Sequence, residues 1–321
     1  MTGAALAFIS LVYFLRYAPT LTFTYGGILD AALVAGHERE LLTVFVLGFF
    51  GFGVKAAIFP FDAWLPSASV APTPVTALLH AVAVVKSGAF AVMRLIYFGF
   101  GTDFLHGTWA QYVALSAAAF TVVFGSGMAL RMPHLKRRLA YSTVGNLSYI
   151  LVGFCAMTPL GLTAGLLHMI YHAVIKITLF FCAGAMLHHN GLEYIYDMNG
   201  LGRKMPVTCA VFTLAGLALM GIPPRGGFLT KWLIATAAAA NGHWASDLCV
   251  VALILSATLT SLYIMTVAVR FYFPLKSAAP LPLDTREADR LMLGPLAFLA
   301  VLLVALSLAA EPLTTWIGGL V

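Results

Sequence analysis

The segment HMIYHAVIKITLF (168–180) carries ionisable side chains at every fourth position of an otherwise apolar run. His168, His172 and Lys176 are each four residues apart. Since an α-helix has about 3.6 residues per turn, the three side chains lie on one helical face. Imidazole exchanges protons near neutral pH, and a lysine removed from water gives up its proton more readily. The spacing therefore fits a metal pair, buried neutral side chains or a file of proton carriers.

A metal site is the weakest of these interpretations. Two histidines four residues apart are a good pair of zinc ligands, but such a site needs a third and usually a fourth ligand. A protonated Lys176, one turn beyond His172, would also repel a metal cation. We therefore predict no metal and no cofactor, and we interpret the file as one of proton carriers.

The elements that position these residues must be membrane-spanning helices. Of the 321 residues, 61% are hydrophobic and 9% are charged, and the mean hydropathy is +0.95. Apolar runs of about 20 residues recur, each long enough to cross a hydrocarbon layer of roughly 30 Å. We predict one all-α, polytopic membrane domain over residues 1–321. Its nine spans fall near residues 3–18, 40–60, 73–99, 109–130, 138–157, 161–188, 206–240, 247–273 and 291–318.

Two segments rich in Pro and Gly interrupt this pattern. They are FPFDAWLPSASVAPTP (59–74), after the second span, and GIPPRGG (221–227), inside the seventh. Proline removes a helical hydrogen bond, and the freed backbone groups survive in a bilayer only where protein or water satisfies them. We predict discontinuous helices at both places.

The basic residues cluster in alternate loops, which indicates orientation rather than nucleic-acid binding. The positive-inside rule assigns such loops to the cytoplasm. This assignment predicts a protein of the cytoplasmic membrane, with its N-terminus inside, its C-terminus outside, the lipid bilayer around it and no nucleic-acid partner. The loop residues used are Arg131, Lys136, Arg137, Arg138, Arg203, Lys204, Lys276, Arg286 and Arg290.

Further ionisable side chains lie inside predicted spans. An ammonium group at the bilayer centre costs several kcal/mol unless it faces protein or water. A lysine near a helix end can reach the interface, but four lysines in four spans are more than this explains. Ser142, Asn146 and Tyr149 share one helical face, where they could line a watery channel or join helices. The candidate residues for proton or ion translocation are Lys55, His80, Lys86, His168, His172, Lys176 and Lys231.

Four long motifs, in this order, resemble one family of membrane proteins. The family comprises the antiporter-like membrane subunits of respiratory complex I (NADH:quinone oxidoreductase), of Mrp-type cation/proton antiporters and of energy-converting membrane-bound hydrogenases. The resemblance covers most of the chain. The motifs are PFDAWLPSASVAPTPVTALLHAVAVVKSG (60–88), LKRRLAYSTVGNLSYILVGF (135–154), HMIYHAVIKITLFFCAGAM (168–186) and MGIPPRGGFLTKWLI (220–234).

The resemblance implies a role for each candidate. Lys55 matches the central lysine of a first half-channel, with His80 and Lys86 as the connecting groups. His168, His172 and Lys176 match the connecting groups of a second half-channel, and Lys231 matches its terminal lysine.

The resemblance also implies two inverted five-helix repeats. Residues 1–99 match the C-terminal part of the first, 109–273 the whole of the second, and 291–318 an additional helix. The family pairs its first lysine with a glutamate that has no match here. Lys55 is then expected to be a buried charge without its usual partner, and Lys86 to await a partner as well. Either the sequence is a fragment or a separate chain supplies the missing helices.

Three functions remain open at this point. The first is a proton-translocating, or Na⁺/H⁺ antiporter-like, subunit of a larger redox or antiporter complex. The second is a non-conducting structural or assembly subunit, because the first half-channel is incomplete. The third is a redox enzyme in its own right. The sequence has no dinucleotide-binding glycine motif and no cysteine cluster for iron–sulfur, so redox chemistry would belong to partner subunits.

Overall fold

Helices make up most of the structure, which is a computed structural model that describes residues 1–20, 22–223, 226–275 and 281–320. The first helices are α1 (Thr2–Phe14), α2 (Ala31–Val34), α3 (Glu38–Gly53), α4 (Trp64–Ser67), α5 (Thr73–Ala81), α6 (Val84–Arg94), α7 (Thr102–Leu105) and α8 (Trp109–Arg131). They are followed by α9 (Leu135–Cys155), α10 (Pro159–Asn190), α11 (Pro206–Met220), α12 (Gly226–Ala239), α13 (Trp244–Tyr272), α14 (Arg290–Leu308) and α15 (Ala310–Gly318).

These helices confirm the prediction of an all-α membrane fold. Every predicted span contains a helix, although only some helices are long and apolar enough to cross a bilayer without help from neighbours. The last predicted span is divided at Ala309 into α14 and α15. Pro312 explains the division, because it has no N–H to donate to the carbonyl of Leu308. The long apolar segments are Thr73–Phe100, Trp109–Arg131, Pro159–Asn190, Trp244–Tyr272 and Arg290–Leu308.

The most enclosed helix is α9, which packs against α8, α10, α12 and α13. All its residues except Arg137 and Tyr141 are buried. Glycines allow this packing: a Cβ on Gly125 of α8 would lie only 2.5 Å from the backbone nitrogen of Gly145 in α9. Small residues let membrane helices approach closely without a hydrophobic driving force. The polar side chains of α9 therefore face other helices rather than lipid.

Besides the division at Ala309, three helix breaks lie among the described residues, and two of them were predicted. The first follows α3 and runs to α4; the second separates α11 from α12. Pro224 and Arg225, at the centre of the second, lie outside the described residues. The third break, at Val82 and Ala83 between α5 and α6, falls inside the predicted span 73–99. Neither residue is Pro or Gly, so composition did not reveal it.

Arg138, one of the residues used for orientation, ties three helices together. It is 3% exposed. Its guanidinium donates to the carbonyls of Leu130 and Met132, at the C-terminal end of α8, and to Tyr263 O of α13, over 2.8–3.1 Å. The last carbonyls of a helix have no partner within it. Arg138 supplies those partners, whereas its neighbour Arg137 is exposed. Lys276, another of the orientation residues, lies outside the described residues.

We expect Arg138→Met to destabilise the bundle, because it leaves buried carbonyls at the end of α8 unpaired. The loss of hydrogen bonds from a charged group predicts a cost of about 2–4 kcal/mol. Thermal unfolding of the purified protein in detergent measures it. Arg137→Met is the matched control and should unfold at the wild-type temperature; equal behaviour of the two variants would contradict the role given to Arg138.

Candidate functional site

Buried lysine and histidine side chains are grouped in one polar region inside the bundle. His80, Lys86, His168, His172 and Lys176 are each at most 6% exposed. Lys231, which is half-buried, extends the region to α12. The helices α5, α6, α9, α10 and α12 supply its side chains.

Lys86 of α6 and His172 of α10 make the contact that joins the segment before α8 to the long helix α10. Lys86 Nζ lies 2.7 Å from His172 Nδ1 and 3.4 Å from the carbonyl oxygen of His80. The break between α5 and α6 frees this carbonyl from its helical partner. The expectation that Lys86 lacks a partner within the chain is therefore wrong. The unpredicted break at Val82 and Ala83 provides the space and the acceptor for its ammonium group.

His172 and His168 stack one turn apart on α10. Their ring centroids are 6.0 Å apart, with an interplanar angle of 18°. His168 Nδ1 lies 2.8 Å from Thr230 Oγ1, and Thr230 donates its hydroxyl proton to Gly227 O. In the tautomer in which Thr230 keeps this bond, His168 Nδ1 is the donor to Thr230 and its Nε2 is an acceptor. When the Lys86 ammonium group donates to His172 Nδ1, the hydrogen of a neutral His172 is on Nε2.

The two outer nitrogens, His172 Nε2 and His168 Nε2, are both buried without a hydrogen-bond partner among the described residues. Buried polar atoms of this sort are normally satisfied by water or by a transient partner. A bridging water would complete a hydrogen-bonded connection between the imidazoles.

The Lys231 side chain reaches the break between α11 and α12, as the Lys86 side chain reaches the break between α5 and α6. Its Nζ donates to Leu219 O at 2.6 Å and Met220 O at 3.2 Å, the last carbonyls of α11. Gly221 ends α11 with φ of +84°, a conformation that glycine adopts readily. The C-terminal end of a helix carries partial negative charge. Both ammonium groups are therefore held by the carbonyl ends of interrupted helices.

Lys176 points away from the histidines and into α9. It donates to Leu139 O at 2.9 Å and, over a shorter distance, to the Ser142 hydroxyl. It belongs to the polar region but makes no hydrogen bond to His172 among the described residues. The three residues that share one face of α10 therefore have different neighbours. His168 contacts α12 and stacks on His172, whereas Lys176 contacts α9.

The ring and the backbone of His80 contact different partners. Its Nε2 lies 3.4 Å from Ser69 Oγ, and the ring packs on Phe180. Its carbonyl, not its imidazole, accepts from Lys86. His80 thus connects the segment before α5 to the Lys86–His172 pair.

Lys55 differs from the other candidates. It was expected to be a buried charge, but its side chain is exposed on the surface of the chain. A Cβ on Gly88 would lie 2.7 Å from Lys55 Cβ. Lys55 therefore lies beside Gly88 of α6, which follows Lys86 by two residues. The correction has a physical reason. Because α3 ends at Gly53, Lys55 is part of the break itself, where its side chain is free to point outward.

No carboxylate balances these cations in the part of the chain that the structure describes. The ion pairs there join histidines to Glu40, Glu193 and Asp289, and none involves a lysine. The same residues contain no group of three His, Cys, Asp or Glu side chains that could hold a metal ion. Carbonyls, hydroxyls and rings are therefore the partners of the buried ammonium groups.

Sequence reasoning missed some residues of the site and left others open. Thr230 and Ser69, which contact His168 and His80, carried no signal beyond a hydroxyl near an ionisable residue. For Ser142 and Tyr149 the sequence allowed either a channel or a helix-joining role. The structure places Ser142 against Lys176 and the Tyr149 ring 5.2 Å from Lys231 Nζ.

Comparison with known proteins decides the family. Residues 2–272 match the family of membrane domains described as NADH:quinone oxidoreductase/Mrp antiporter, TM. The chain belongs to this family. The resemblance seen in the sequence motifs is thereby confirmed.

Two relatives and one solved structure illustrate the membership. The chain is 34% identical over 282 residues to NADH-quinone oxidoreductase subunit N of Desulforudis audaxviator, which covers 84% of this chain and 55% of the relative. It is 35% identical over 280 residues to a subunit of a probable K(+)/H(+) antiporter of Rhizobium meliloti, covering 85% and 27%. A chain of the Mrp complex from a Dietzia species superposes with a TM-score of 0.80 at 23% identity, over 98% of this chain and 64% of that one.

The structural likeness to the Mrp complex shows the fold alone, because the identity is low. The chain spans about half the length of one curated relative and less of the other. The fold and family are therefore shown, while activity, ion and partners are matters of proposal.

Proposed function

We propose that this chain is an antiporter-like membrane subunit that moves protons through its buried lysines and histidines, within a larger ion-pumping redox or antiporter complex. The proposal depends most on the 2.7 Å contact between Lys86 Nζ and His172 Nδ1. Donor and acceptor at this distance can exchange a proton directly. The contact also joins the segment that precedes α8 to the long helix α10.

The route continues from His172 to His168 and then to α12. A proton on His172 Nε2 would reach His168 Nε2 through a bridging water, and His168 contacts Thr230, the residue before Lys231. Lys231 then forms the far end of the route. On the other side, Ser69 and the His80 ring would bring protons toward Lys86 through a water at His80 Nδ1, because only the backbone carbonyl of His80 contacts Lys86 directly. Lys176 and Ser142 form a side branch whose charge repels protons on the neighbouring groups.

The chemistry of the route favours protons over metal cations as its cargo. A sodium or potassium ion needs several oxygen ligands converging on one point. Here the polar groups are amines and imidazoles, and no described carboxylate pairs with them. In an antiporter complex, the exchanged metal cation would then cross elsewhere. Redox chemistry, if the complex performs it, would be supplied by other subunits.

We expect Lys231→Ala and Lys176→Ala each to lower proton movement at least tenfold, because the first removes the far end of the route and the second removes the charge that drives protons off the neighbouring groups. The measurement is dye-detected acidification of membrane vesicles that hold the chain with its partner subunits. Lys204→Ala, at an exposed loop position, is the control and should pump normally. Native gels verify that each variant assembles.

Lys86→Met and His172→Leu extend the same test. If the two residues act as one unit, the double variant loses no more activity than the more damaging single variant. Normal pumping in both Lys231→Ala and Lys176→Ala, with assembly intact, would overturn the proposal. That result would favour the alternative of a non-conducting structural or assembly subunit.

We also propose that other polypeptide covers the surface around Lys55. An ammonium group facing lipid beside the middle of the α5–α6 segment is costly, so a polar or acidic partner is expected there. This partner is either further sequence of a longer protein or a separate membrane subunit. A photo-crosslinking amino acid at position 55 should capture it in native membranes. The same probe at Phe298 in α14, which is 66% exposed, is the control; capture of lipid alone at position 55 would contradict the proposal.

The proposed orientation places the loop between α8 and α9 in the cytoplasm, in the cytoplasmic membrane. The clustered basic residues support it. A single cysteine at Arg137, introduced after replacing the native cysteines, should react with an impermeant maleimide in inverted vesicles and not in intact cells. The opposite labelling would reverse the orientation.

A further inference from the structure

Tyr149 lies in α9 where Lys231 and His168 approach each other from α12 and α10. Its side chain is 1% exposed. The Lys231 ammonium group lies over its ring, 5.2 Å from the centroid. The His168 ring stacks on it at 5.7 Å with an interplanar angle of 26°. One aromatic ring therefore contacts both groups between which the last part of the proposed route must pass.

The Tyr149 ring is held in place from its far end. Its hydroxyl donates to Leu253 O of α13 at 2.8 Å, and α9 is enclosed by its neighbours. The anchor restricts both position and tilt of the ring. Lys231 has four rotatable bonds and depends on its partners for its position. The ring is thus a fixed support for a mobile amine.

The chemistry of the ring suits an amine that must gain and lose a proton. The face of a phenol ring is electron-rich and attracts an ammonium group, most strongly where water is excluded. A neutral amine feels little of this attraction. A carboxylate would also stabilise the ammonium group, but it could accept the proton itself. Among the described residues, two carbonyls and this ring are the partners of Lys231 Nζ.

We propose that Tyr149 is a positioning residue, whose ring holds the protonated side chain of Lys231 beside His168 by a cation–π contact. The inference rests on the proposed function, because it assigns Tyr149 to the same proton route. It goes beyond that function in replacing an acidic counter-ion with an aromatic ring. The hydroxyl serves to fix the ring and carries no proton.

Fluorinated phenylalanines at position 149 test the contact directly. Fluorine withdraws electron density from the ring face and leaves the shape of the ring nearly unchanged. Tyr149→Phe, which keeps the ring and loses its anchor to Leu253 O, is the unfluorinated reference of the series. The rate of proton movement in the vesicle assay should then fall with each added fluorine, by about tenfold for the trifluorinated ring. Tyr149→Leu, which removes the ring, should be at least as slow.

Phe154 provides the matched control. It lies in the same helix and is fully buried, and no cation lies over its ring in the parts of the chain that the structure describes. The same fluorinated series at Phe154 should leave the rate unchanged. A rate at position 149 that does not vary with the number of fluorines would overturn the proposal, because a ring that only fills space is insensitive to its charge distribution.

The Lys231→Ala variant separates the two proposals. If it pumps normally, the proposed proton route itself is wrong, and the positioning role falls with it. If it stops proton movement while the fluorinated series at Tyr149 is flat, the route stands and only the role of the ring is rejected.

Discussion

In the described part of the chain, ammonium groups are held inside an apolar bundle without acidic partners, and the rest of the site depends on this. Lys86 and Lys231 both donate to carbonyls that helix breaks have freed, and Lys86 also contacts His172. A broken helix in a membrane must satisfy its exposed backbone, and a buried lysine must satisfy its charge. The freed carbonyls accept hydrogen bonds from the ammonium group, so each satisfies the other. This arrangement of a helix break with a buried lysine occurs at α5–α6 and at α11–α12.

Such an arrangement suits a group that changes its protonation state. A salt bridge to a carboxylate would bind the proton firmly, whereas carbonyls and an aromatic ring stabilise the charge less strongly. Removing the proton from such an amine leaves no buried carboxylate unpaired. Lysines held in this way are easier to discharge than lysines in ion pairs. This geometry gives the proposed transport role a physical basis.

The enclosed helix α9 connects the separate parts of the polar region. Ser142 contacts Lys176 and Tyr149 contacts Lys231 and His168, while Arg138 fixes the end that we have proposed to be cytoplasmic. Close packing at Gly125 and Gly145 brings α8 within reach and keeps lipid away. Polar side chains on α9 can then serve the route without facing hydrocarbon.

The sequence by itself determined the fold class, the family, the predicted breaks at 59–74 and 221–227 and the set of ionisable residues. Apolar length, proline chemistry and helical periodicity act locally, so they can be read from one segment at a time. Only the tertiary structure decided that Lys86 meets His172, that Lys176 turns into α9 and that Lys55 is exposed. Those outcomes depend on which helices are neighbours and on a break at Val82 and Ala83 that no proline or glycine marks.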